Sequence, residues 1–73
     1  MHIYNIHIDQ SIEIPNGQYK GHQGIVTTIS SMVEKGYPVY KIIGYIPGEK
    51  VDFVFRTNAE FSKISEVQLY DYD

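Results

Sequence analysis

The sequence predicts an all-β domain folded as a small, strongly curved five-stranded barrel. Alternate positions are apolar along most of the chain, whereas i, i+3, i+4 spacings barely occur. β-Branched residues cluster in the run Ile25-Val26-Thr27-Thr28-Ile29, and their restricted χ1 suits a pleated surface. Turn residues punctuate the chain at close intervals, so the strands are short. Near closure of the sheet then hides its edges and keeps both faces from being wet.

In chain order, His2, Tyr4, Ile6 and Ile8 fall on one face of a first extended segment, with Asn5, His7 and Asp9 on the other. Ile12 and Ile14 resume the extended chain until Pro15-Asn16-Gly17, a turn cluster in which Asn or Gly accepts positive φ. A loop is expected over residues 18–23 and a strand over 24–30. Residues 31–38 are bounded by Gly36 and Pro38 and read as a long hairpin loop, too short for a stable helix. The next strand spans residues 39–46. Lys41 interrupts its Val39, Ile43, Tyr45 face, which turns Tyr40 and Ile42 inward. Tyr37, Tyr40 and Tyr45 are expected as barrel-wall residues with buried rings. After a turn at Pro47-Gly48, residues 50–57 place Val51, Phe53 and Phe55 on one face and Asp52, Val54 and Arg56 on the other, in an antiparallel hairpin with the preceding strand. Asn58-Ala59-Glu60-Phe61-Ser62 reads as a short 3-10 turn capped by Asn58, with Phe61 plugging the barrel end. Val67 and Leu69 mark the last strand, and the acidic end beyond is expected to fray.

A chain of 73 residues supports one hydrophobic core, so residues 1–73 form a single domain. It has no cysteine, which excludes both disulfides and a thiolate zinc site as supports. The net charge is −3, yet only Glu66, Asp71 and Asp73 are charged after Ser65, so the remainder balances six acids against six bases. That balance disfavours a strongly phosphate-seeking protein. Residues 1–5 lack the basic and apolar regions of a secretory leader. The most apolar stretch, residues 37–47, is far shorter than the roughly 20 residues of a membrane-spanning helix. A cytoplasmic protein without membrane contact is expected.

The run Ile12 to Val26 resembles the KOW motif of SH3-like barrels in ribosomal proteins and transcription elongation factors. Ile12 and Ile14, the Lys20-Gly21 pair, Gly24 and Val26 match that motif in order. In physical terms, Gly21 permits a tight loop, and Gly24 allows positive φ or close backbone approach at the entry to a long strand. The resemblance implies a five-stranded SH3-like barrel and a binding role, toward RNA or toward protein. Ribosomal members are basic around this loop, whereas here Lys20 is the only Lys or Arg between Glu13 and Lys35, which favours protein.

Catalysis needs a nucleophile with its base, paired carboxylates or a metal set in one pocket. The sequence assembles none, so neither an enzyme nor a cofactor is expected. His2, His7 and His22 with Asp9 lack the close ligand pairs of a metal site. The candidate contact residues are Tyr19, Lys20 and His22, which put a stacking ring, a charge and a titratable donor on one loop. Lys41 and Arg56 join them as a basic surface across paired strands. The chain is thus expected to be a non-enzymatic binding module with a protein partner. Nucleic-acid binding by the same loop is the alternative, and self-assembly into a homo-oligomer through an open barrel edge is the third reading.

Overall fold

A computed structural model describes residues 7–72, which build five strands: β1 (Ser11–Glu13), β2 (Gln23–Glu34), β3 (Tyr37–Ile46), β4 (Val51–Thr57) and β5 (Gln68–Asp71). They form one antiparallel meander in the order β1-β2-β3-β4-β5, curled into a half-barrel. A bulge between Val26 and Thr28 adds twist where β2 bends around the core.

Period-2 alternation decides the inside. On β4, Val51, Phe53, Phe55 and Thr57 are buried, as are Tyr40, Ile42 and Ile46 on β3, with Ile14, Val26 and Val67 completing the core. Phe53 and Phe55 stack at 5.9 Å, and Phe61 meets Phe55 edge-on at 5.8 Å, so Phe61 plugs the core as its position implied. Space for the Phe53 ring comes from two glycines. A β-carbon at Gly24 would lie 2.6 Å from Phe53 Cε2, and one at Gly44, paired with Phe53 across the ladder, would lie 2.7 Å from Cζ. Gly24 therefore serves close approach rather than positive φ, whereas Gly21 does sit at φ +90° in the tight loop.

Several expectations are corrected. The first extended segment lies largely outside the described residues. Its described end is a turn, with Gln10 N–H donating to the His7 carbonyl (3.1 Å) and Asp9 at φ +69°. Residues 31–38 are not a long loop: β2 and β3 stay paired out to Glu34 opposite Tyr37. The two residues between them, Lys35 and Gly36, both have positive φ, the backbone of a type I′ turn whose twist matches the strands it joins. Beyond Tyr40, the last β3 residue paired with β4, this hairpin continues as a two-stranded arm. Tyr37 on the arm is 73% exposed rather than a buried wall residue, and Tyr45 is exposed as well; only Tyr40 of the three is buried.

The 3-10 turn is a single β-turn instead. Phe61 N–H donates to the Asn58 carbonyl (3.1 Å), and Phe61 at φ +60° prevents a second such bond from following. Asn58 still caps it, its Oδ1 accepting from Ser62 N–H (2.8 Å) and Lys63 N–H (3.1 Å). Nor does the acidic end fray before Tyr72: Tyr70 and Asp71 belong to β5, and Tyr72 N–H donates to the Lys50 carbonyl (3.2 Å).

Among the described residues β1 pairs only with β2, and β5 only with β4. The two edges are bridged by one side chain. Asn16 Oδ1 accepts from Val67 N–H (2.8 Å) while its Nδ2 donates to the Ser65 carbonyl (3.1 Å), so the amide stands in for a strand pair. Replacing Asn16 with Ala leaves the partly buried Val67 N–H without its acceptor. We expect a loss of about 1–3 kcal/mol in urea unfolding. An unchanged midpoint would show that the edges hold without this bridge.

Candidate functional site

Alternation that buries one face of β3 and β4 presents the other. Val39, Lys41, Ile43 and Tyr45 of β3 run antiparallel to Arg56, Val54 and Asp52 of β4, and Lys41 stands directly opposite Arg56. Val39, Ile43 and Val54 are half-buried, forming an apolar strip on the outer face. Like charges directly opposite in a ladder are destabilising, by about 0.2–1 kcal/mol. Part of that cost is offset by Glu34, at the end of β2, whose Oε2 lies 3.0 Å from Arg56 Nη1 across β3. Both partners are about half exposed, so the ion pair contributes only about 0–1 kcal/mol.

Two open clefts adjoin this strip. One, of ≈ 830 Å³, runs from Tyr37 and Val39 past Arg56 to Asn58, Lys63 and Ile64. The other, of ≈ 660 Å³, lies along Lys41, Ile43, Val54 and Tyr70. They share Arg56 and Ser65. Ser65 is fixed there because its N–H donates to the Arg56 carbonyl and its Oγ accepts from Arg56 N–H, each at 2.9 Å, as a one-residue extension of the sheet.

The loop residues fall into a separate group. Tyr19 is half-buried, its ring packed against the core and edge-on to the His22 imidazole at 5.3 Å. Glycine φ values of +87° and +90° at Gly17 and Gly21 shape this loop. It is tied down by Gly21 N–H donating to the Ile14 carbonyl (3.0 Å) and His22 N–H to the Tyr19 carbonyl (2.9 Å). Lys20 and His22 are exposed. The fold thus joins Tyr19 with His22, and Lys41 with Arg56, but Tyr19 packs on the inner side of the sheet while Lys41 and Arg56 project from the outer. Neither cleft is lined by Tyr19, Lys20 or His22.

The sequence reading omitted Val39, Ile43 and Val54 as contact residues, along with Glu34, Lys63 and Ser65. The apolar three were legible as the second face of an alternating hairpin, since a strand carrying β-branched residues on both faces has more apolar surface than one core can take. Among the described residues, no group of three or more His, Cys, Asp or Glu is placed to hold a metal ion, and no helix is long and apolar enough to cross a membrane. No family model, curated protein or solved structure matches the chain.

Proposed function

We propose that the chain is a non-enzymatic protein-binding module, an SH3-like half-barrel whose contact surface is the outer face of β3 and β4. The observation that carries this reading is the half-buried apolar strip of Val39, Ile43 and Val54, ringed by Lys41, Arg56 and the exposed Tyr37, Tyr45 and Tyr70. An apolar centre with a polar, tyrosine-bearing rim is the anatomy of a protein interface. The SH3-like assignment draws support from the five-strand meander and from the glycines of the KOW-like run, Gly21 in its turn and Gly24 against Phe53.

Ile43→Thr combined with Val54→Thr keeps β-branching while removing the apolar strip. Immobilised wild-type chain is expected to enrich a defined set of proteins at physiological salt, and the double variant to lose them. Lys20→Ala is expected to retain them. Loss with Lys20→Ala and retention by the double variant would move the site to the loop at residues 19–22. Enrichment of nucleic acid that disappears steeply with added salt would replace the protein reading by its alternative.

A further inference from the structure

Resting on that reading of the outer face, we infer that its partner is an extended acidic peptide segment, one carboxylate of which sits between Lys41 and Arg56. Four of the chain's six basic side chains, Lys35, Lys41, Arg56 and Lys63, line the two clefts, together with three of its nine acids, Glu34, Glu60 and Glu66. The remaining two bases face six acids elsewhere in the sequence. An acidic chain has thus gathered most of its positive charge along the two clefts that adjoin the half-buried apolar strip.

The pairing of Lys41 with Arg56 points to the ligand's charge. The register holds two cations directly opposite each other, an arrangement that costs stability and that the fold does not require, since both side chains leave the core side untouched. A carboxylate between them removes the repulsion and accepts charge-assisted hydrogen bonds from both. Glu34 shows the chemistry within the chain itself: its carboxylate already meets Arg56 at 3.0 Å, and at half exposure the pair is weak enough to be exchanged.

The surroundings point to peptide rather than to nucleic acid. Glu34, Glu60 and Glu66 are interspersed among the cations, so a continuous phosphate backbone laid along the clefts meets repulsion at several places. A strand-like peptide spaces its carboxylates with other side chains between them. Its apolar residues then reach Val39, Ile43 and Val54, while its acids reach Lys41, Arg56 and Lys63.

The test titrates the isotope-labelled full chain at low salt with three probes, followed by amide NMR. These are a synthetic peptide alternating Glu with Thr and Leu, the same peptide with Gln for every Glu, and a single-stranded RNA of matching length. The acidic peptide is expected to shift Lys41, Ile43 and Arg56, the Gln peptide to leave them in place, and Lys41→Gln to weaken binding by about tenfold or more. Because the substitution also ends the like-charge pair, the thermal midpoint of Lys41→Gln is expected to hold or rise, which a merely structural lysine would not allow. Equal binding of the Gln peptide at these residues overturns the carboxylate while leaving the protein-binding reading intact. Tighter RNA binding there overturns both. Silence with all three probes overturns the inference alone, because the capture comparison with the Ile43 and Val54 variant judges the module independently.

Discussion

Gly44→Ala is expected to abolish the native fold, or to cost more than about 4 kcal/mol, most of the stability a small domain has. The added methyl overlaps the Ile25 carbonyl oxygen of the adjoining β2 chain and comes within 2.7 Å of Phe53 Cζ. The first of these obstacles is backbone, beside the bulge that bends β2, so relief requires the β2–β3 ladder to part at its most curved point. Gly24→Ala differs in kind. The atoms nearest its methyl belong to side chains, Phe53 Cε2 at 2.6 Å and Ile14 Cδ1 at 2.9 Å. Trimming Phe53 to Leu is therefore expected to restore part of the stability lost in Gly24→Ala and none of that lost in Gly44→Ala. Urea unfolding of the single and double variants measures this coupling. Equal rescue at both positions would show that the β2 carbonyl is free to move aside.

Phe53→Ala is expected to lower stability by about 3–5 kcal/mol, seen as a shifted urea midpoint with an unchanged slope. Phe53 is fully buried, stacked on Phe55 and seated over two glycines that have no side chains with which to fill the space it leaves. Collapse of that cavity would need the same backbone movement that the Ile25 carbonyl resists, so the void stays open and the cost falls toward the upper end. A loss under about 1 kcal/mol would mean that the sheet closes over the gap. The outer-face substitutions Ile43→Thr and Val54→Thr provide the contrast, because those side chains are only half-buried and their strands keep β-branched residues.

What could be read directly follows from the range of the forces involved. Val51, Phe53 and Phe55 declared the inner face of β4 because alternation is a local property that one strand displays in full. Lys41 likewise turned Tyr40 and Ile42 inward, whereas the register that sets Lys41 directly against Arg56 depends on a four-residue turn over 47–50 that pairs Ile46 with Val51. Residues 31–38 misled because Ser31, Glu34, Lys35 and Gly36 look like a loop in isolation. Their strand character comes from pairing across the hairpin and from Lys35 accepting the positive φ that a type I′ turn demands. At Tyr19 and His22 the local pattern shows an aromatic loop but not its packing: the Tyr19 ring is partly spent on the core while His22 stays exposed.

By itself the sequence determined an all-β chain and the inward residues of β3 and β4, since each depends on neighbours a few positions away; that Phe53 is the ring packed over Gly24 is a contact 29 residues distant. Tertiary structure alone decided that the described strands curl into a half-barrel, that Asn16 joins edges 49 and 51 residues apart in sequence, and that Glu34 reaches Arg56 across 22. Those contacts bring together groups far apart along the chain, and their partners are chosen by the curl of the whole sheet, which no local pattern encodes.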